Sequence, residues 1–351
     1  MTHWLYYFLK IYCRCALWFY FRRWQIEGKE NVPAGPVVFV ANHQNAFLDA
    51  VLVSCSSSRD MWFLARAEVF QKAWAKKILG WLKMMPVFRF RDGFGSIKNN
   101  DQIFNACVEL LEKQESILIF AEGNHHDHFR LRPLQKGFAR IAVDAFVKSN
   151  GKLNVKIVPV GIQYEQPDRS LSRVLVTFGK AFSVQEIIDT HDSYSQQVND
   201  LVTFTANQLQ PLILHIEEEQ YEQKFNYLMH YRLRVKDLTE QLAIDQATVQ
   251  SFTEQEGILT TPLTRIFWNP LYTYWFINTL VPTLLIRWIL KTKMKDVQFT
   301  ASLKFSLGMV LIPLFIILQS GLVYSFSNSI LITVAYALSV PLSIKIHSRL
   351  I

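Results

Sequence analysis

Cysteine is scarce: the 351 residues include only Cys13, Cys15, Cys55 and Cys107, and no two of them form a Cys-x-x-Cys pair. This argues against a zinc ribbon or a disulfide framework and suits free thiols in a reducing compartment. Also absent is any stripe of closely spaced lysines and arginines among polar residues. The formal charge of +8 therefore points away from nucleic acid and toward anionic lipid or anionic substrates. No Gly-x-Ser-x-Gly occurs, so the nucleophile elbow of a serine hydrolase is missing. The aromatic N-terminus has no small-residue cleavage site, which argues against a signal peptide. What is abundant is apolar: half of the residues are hydrophobic and 14% are aromatic, with a mean hydropathy of +0.11. That value lies between a soluble enzyme and a polytopic membrane protein, and suggests a globular domain with membrane segments attached.

The pattern divides the chain into four parts. Residues 1–26 are dense in Trp, Tyr and Phe and broken by Lys10, Arg14, Arg22 and Arg23. Charges at those places make a poor spanning helix but suit one lying among lipid headgroups, the alternative being a packing helix of the domain. In residues 27–192, short apolar runs alternate with helical stretches. Val37–Val40, Ser116–Phe120, Val155–Val160 and Val174–Phe178 read as buried strands, and 100–113 and 137–146 as helices. Such alternation predicts an α/β fold, a mixed sheet flanked by helices, with its site just past the carboxyl ends of strands. Residues 193–260 are rich in Gln, Glu and Leu, and read as a helical insertion or arm of two long solvated helices. Residues 261–351 form a hydrophobic membrane-attachment region with three apolar runs, 266–290, 305–324 and 329–344.

A spanning helix needs roughly 20 apolar residues, which the second run meets and the third nearly meets. Lys291, Lys293 and Lys295 precede the second run, Lys345 and Arg349 follow the third, and the link between the two is uncharged. A hairpin with both ends in the cytoplasm satisfies the positive-inside tendency and puts the globular domain on the same side. The first run, with Pro270 and Pro282, is then expected to lie in the interface or re-enter. If it spans instead, the domain and the Lys291 loop fall on opposite sides.

Four polar-ended segments follow one another in a set order: Asn42-His43-Gln44-Asn45-Ala46-Phe47-Leu48-Asp49, Met85-Pro86-Val87-Phe88-Arg89, Phe120-Ala121-Glu122-Gly123 and Ile157-Val158-Pro159-Val160-Gly161. A His and an Asp six positions apart are weak evidence alone, since a polar pair in a loop is commoner than a catalytic one. The four segments together resemble the glycerolipid acyltransferase superfamily, the glycerol-3-phosphate and lysophosphatidic acid acyltransferases. The resemblance covers about residues 28–182. Two departures mark a divergent branch. The commonest pattern has four residues between His and Asp, and here there are five. The third segment usually continues Thr-Arg-Ser after Glu-Gly, whereas here Asn124-His125-His126 follows.

The resemblance implies a glycerol-3-phosphate acyltransferase-like fold and acyl transfer from a thioester, acyl-CoA or acyl carrier protein, to a hydroxyl. Lysophosphatidic acid is the first expected acceptor, and glycerol 3-phosphate or another lysolipid the second. His43 suits a general base, a role contributing roughly a hundredfold to ten-thousandfold, and Asp49 would hold its tautomer and stabilise the imidazolium. The extra residue requires the loop to bulge, or Asp49 to sit on a first helical turn. By resemblance Arg89 binds the acceptor's phosphate through its planar fork, with Arg91 and Lys136 as further candidates. Glu122 would help bind the acceptor, its alternative being to cap the next turn, and Gly123 would allow close backbone approach. Pro159 is expected to shape the pocket. The cluster His125-His126-Asp127-His128 suggests a metal, but contiguous residues seldom converge on one ion. Rim residues of the acceptor pocket, with His125 as a pH-dependent phosphate contact, are the expectation. No metal and no organic cofactor is expected, and membrane lipids are the expected partners. A catalytically silent lipid-binding protein of the same fold is the reading from a different class.

Overall fold

In the computed structural model, which describes residues 2–87, 94–126, 128–188, 191–253, 269–293 and 299–350, eight strands form one sheet. They are β1 (Arg23–Glu27), β2 (Val37–Ala41), β3 (Trp62–Arg66), β4 (Met84–Val87), β5 (Ser116–Phe120), β6 (Lys156–Tyr164), β7 (Arg173–Phe178) and β8 (Phe182–Ser183). Their order is β1-β7-β6-β2-β5-β3-β4, with β8 also on β6. The strands from β6 to β4 are parallel, and β7 and β8 run antiparallel to β6. The mixed sheet is thus as expected. The continuous apolar run of β2 has a simple cause: Val38 and Val40 enter one core while Val37, Phe39 and Ala41 enter the other. A strand buried on both faces has no polar side to alternate with.

The helices of the domain are α1 (Thr2–Tyr20), α2 (Ala46–Ser56), α3 (Ala73–Trp81), α4 (Phe94–Glu112), α5 (Gly137–Lys148), α6 (Val184–Ile187), α7 (Tyr194–Leu209), α8 (Tyr221–Tyr231) and α9 (Leu238–Gln250). The crossovers β2–α2–β3 and β3–α3–β4 step one way across the sheet, and β4–α4–β5 and β5–α5–β6 step back. Right-handed connections therefore put α2 and α3 on one face and α4 and α5 on the other. The cores agree. Leu17 and Phe21, flanking the end of α1, pack with Leu48 and Leu52 of α2, while Cys107 and Leu111 of α4 pack with Phe138 and Ile141 of α5.

Three differences from the sequence reading have physical reasons. β6 continues past Gly161 to Tyr164, because that stretch pairs antiparallel with β7, while the Asn42 side chain bonds both backbone groups of Ile162 on the other side. Pro159 is buried mid-strand, its ring against Gly179. It lies between the stretch of β6 paired with β8 and the stretch paired with β7, so its missing N–H breaks no bond on that side. Third, the Gln-rich segment is not an arm of two long solvated helices. Val198, Leu201, Thr205 and Leu209 form a buried stripe that docks α7 on the domain. α8 and α9 cover β7, with Leu228, Leu238 and Leu242 against Leu175 and Phe129.

The C-terminal region holds α10 (Pro270–Asn278), α11 (Leu280–Lys293), α12 (Thr300–Ser327) and α13 (Ile330–Leu350). Within them, Thr300–Ser327 and Ile330–Arg349 are long and apolar enough to cross a membrane, with mean hydropathies of 2.1 and 1.6. The first apolar run, described from residue 269, is broken at Thr279. Pro282 lacks the N–H and its ring opposes the carbonyl four residues back, which favours the break between α10 and α11 there. α10 lies along α13 through Tyr274–Ser339 and Tyr336–Asn278 hydrogen bonds of 2.7 and 2.6 Å. Lys345 of α13 donates to the carbonyls of Trp18 and Phe21 at 2.6 and 2.9 Å, capping the end of α1.

Candidate active site

β2 delivers its carboxyl end between β5 and β6, and the chain turns there through Asn42 and His43 into α2. Asn42 is 2% exposed and bonds both backbone groups of Ile162, so the loop starts from a fixed point. Asp49 falls on the first turn of α2, fully buried. Its Oδ2 accepts the backbone N–H groups of Gln44 and Asn45 at 2.8 and 2.7 Å, and its Oδ1 accepts the Tyr164 hydroxyl at 2.7 Å. The same Oδ2 lies 2.9 Å from Nδ1 of His43. Amide groups can only donate, so Oδ2 acts as an acceptor and Nδ1 must carry the proton toward it. Nε2 is then the ring nitrogen that can receive a proton.

The His43 ring is clamped as well as oriented. It stacks on Phe120 at 4.2 Å with planes 17° apart, and His125 meets its edge at 5.4 Å. Burial pushes the Tyr164 hydroxyl well above the ordinary tyrosine range, reinforced by the Asp49 charge, so it stays a donor.

Glu122 stands behind this pair. Its side chain is 1% exposed; Oε1 accepts the backbone N–H of His43 and Oε2 lies 3.1 Å from Nε2 of His126. In this arrangement Glu122 braces the two loops. Gly123 has φ +70°, a left-handed conformation that an L side chain rarely adopts, and a Cβ there would meet Gln135 at 3.1 Å. Gln135 N–H bonds the Ala121 carbonyl at 2.7 Å, which brings the exposed Lys136 to the same end of the sheet. Arg89 and Arg91 lie outside the described residues, as does Asp127.

The three histidines of the cluster diverge. His125 is not a rim residue: it is 2% exposed, between His43 and the Phe299 ring at 4.6 Å. His126 turns to Glu122, and the exposed His128 stacks on Tyr221 at 4.3 Å. Sequence reasoning missed Tyr164, Phe120 and Ser302 as contributors, and gave His126 to the pocket rim where the structure turns it to Glu122. Phe120 stood in a quoted motif; Tyr164 and Ser302 arrive from distant positions by folding.

Residues 23–163 match the family model described as Acyltransferase. A chloroplastic 1-acyl-sn-glycerol-3-phosphate acyltransferase of Brassica napus is 29% identical over 145 residues, covering 40% of this chain and 37% of that relative. Glycerol-3-phosphate O-acyltransferase 1 of Saccharomyces cerevisiae is 37% identical over 82 residues, 23% of this chain and 11% of the relative. The solved structure of a 1-acyl-sn-glycerophosphate acyltransferase from Thermotoga maritima has a TM-score of 0.41 and 16% identity, covering 60% of this chain and 82% of that one. The matches thus span well under half the length of these two curated relatives. The stretch that carries the His43 site, about two fifths of the chain, is similar to glycerolipid acyltransferases.

Proposed function

We propose that the protein transfers a fatty acyl group from an acyl thioester to a hydroxyl of a glycerol-phosphate-type acceptor. The observation that carries this is the 2.9 Å contact between His43 Nδ1 and a fully buried Asp49 that three further donors hold in place. The acceptor hydroxyl, placed at Nε2, gives its proton to the imidazole while its oxygen attacks the thioester carbonyl. Asp49 stabilises the imidazolium that results, and the thiolate leaves with the proton returned from His43. The enzyme needs no nucleophile of its own, and this chemistry calls for no metal or organic cofactor.

Lysophosphatidic acid is the first acceptor to test, then glycerol 3-phosphate and other lysolipids, with acyl-CoA or acyl carrier protein as donor. Arg89 would hold the acceptor's phosphate, with Arg91 and Lys136 beside it. The catalytic domain is placed on the cytoplasmic side of a membrane that the α12–α13 hairpin crosses. A silent lipid-binding protein of the same fold has little reason to bury a carboxylate against a partly open histidine.

The test is an acyltransferase assay on membranes containing the protein, across glycerophosphate, lysophospholipid and aminolipid acceptors. His43→Ala is expected to lower turnover by at least about a hundredfold with membrane attachment unchanged. Turnover retained in that variant would overturn the mechanism.

A further inference from the structure

α12 does more than begin an apolar hairpin. Ser302, on its first turn and 3% exposed, accepts the Leu48 N–H at 2.9 Å and donates to the Asn45 carbonyl at 2.5 Å. Phe299, one residue before the helix, packs edge-on against His125, which in turn meets His43. Lys304 donates to the Asp168 carbonyl at 3.1 Å, next to the Pro167 carbonyl that accepts from Asn45 at 2.8 Å. Residues 299–304 therefore frame the His43–Asp49 loop from well beyond the family match, which ends at 163.

That loop needs holding. Ala46 has φ +44°, left-handed and strained for a residue with a Cβ. It lies inside the five-residue spacer, where the commonest family pattern has four. This turn feeds straight into the first turn of α2. Strained backbone persists only where its surroundings over-determine it. Asn45, whose N–H bonds Asp49, is the neighbour that Ser302 grips.

We propose that Ser302 is a positioning residue for acyl transfer. It clamps the Asn45–Leu48 turn so that Asp49 stays on Nδ1 of His43, and the first turn of α12 becomes part of the catalytic apparatus. This rests on the acyl-transfer reading of the site. The full-length protein in membranes is assayed with an acyl-CoA and the acceptor it turns over best, comparing Ser302→Ala, Ser302→Thr and Ser302→Ala combined with Ala46→Gly. Ser302→Ala is expected to lower kcat per inserted molecule about tenfold or more, with both KM values within about twofold. Threonine, which keeps the hydroxyl, should restore most of the loss. Glycine at 46 adopts the left-handed turn without strain and should recover part of it. Amide exchange across residues 44–49 should quicken in Ser302→Ala and slow again in the threonine variant.

A purely structural role would reduce the amount of inserted protein and leave kcat per molecule intact. That result, or a kcat loss that neither threonine nor the second substitution repairs, overturns the proposal. Failure of the underlying reading looks different: the wild-type chain transfers no acyl group, or His43→Ala stays active, and the positioning role falls with it.

Discussion

Asp49 shows how much work a single buried carboxylate asks of its neighbours. Two backbone amides, an imidazole and a tyrosine hydroxyl share its two oxygens, and none of its surface meets water. Leaving one buried acceptor unsatisfied costs about 1–3 kcal/mol. Tyr164→Phe does this to Oδ1 and leaves the other three contacts in place. It is expected to lower kcat by about tenfold while the KM values hold, checked by steady-state kinetics on membranes. Unchanged kcat would mean that Tyr164 fills space and does not support Asp49. Glu122 follows the same logic, since a carboxylate bonded on both oxygens inside the protein orders the loop that presents His43.

At the scale of elements, the Gln-rich segment is held by a polar network as well as by apolar stripes. Arg173 grips Glu165 through two 3.1 Å bonds and reaches Gln241 at 3.0 Å, and Gln241 reaches Asp245 at 2.9 Å, where Arg232 also bonds. Burial pushes the Glu165 carboxyl up, but the Arg173 hydrogen bond and charge, with Arg22, outweigh it and hold the group below the ordinary glutamate range. A lowered folded-state pKa means that this stability is full above the unfolded value, about 4.3, and is lost as pH falls through the folded value. Proteolysis of the segment carrying α8 and α9 should therefore accelerate as the pH drops below about 4. In Glu165→Gln the same segment should be loosened already at neutral pH, with a flatter pH response. Equal protease sensitivity of the two proteins at pH 7 would remove Glu165 from this role.

For the whole molecule, one sheet face carries α1, α2 and α3 together with the start of α12, and that face is unusually apolar at its surface. Trp4, Phe8 and Ile11 of α1 are exposed at 84, 66 and 64%, and Trp74, Ile78 and Trp81 line an open side of α3 beside Lys76 and Lys77. Aromatic and basic residues in that mixture suit a headgroup layer. α12 is about 42 Å long against a hydrocarbon thickness of about 30 Å, leaving length for its first turns to pack on the domain. A reporter fused after Ile351 should read as cytoplasmic, the side proposed for the catalytic domain. An extracytoplasmic signal would overturn the hairpin orientation.

What the sequence determined by itself was local and ordered along the chain. Strand β5 and helix α5, the apolar lengths of α12 and α13, and the motif order from Asn42 to Gly161 all follow from periodicity and residue type within short windows. The pair His43 and Asp49 was legible as a candidate because both stand in one motif, six positions apart. Tertiary structure decided which residues serve that pair. Tyr164 and Ser302 lie 115 and 254 positions from their partners in the motif, Asp49 and Leu48, and no window of sequence joins them. The narrow stripe of α7 was hidden by its polar majority, and the short strand β1 carries no apolar run. Most telling is the five-residue spacer. Its length was visible, but only the folded backbone shows a left-handed turn at Ala46 within it, because a turn's handedness depends on what packs around it.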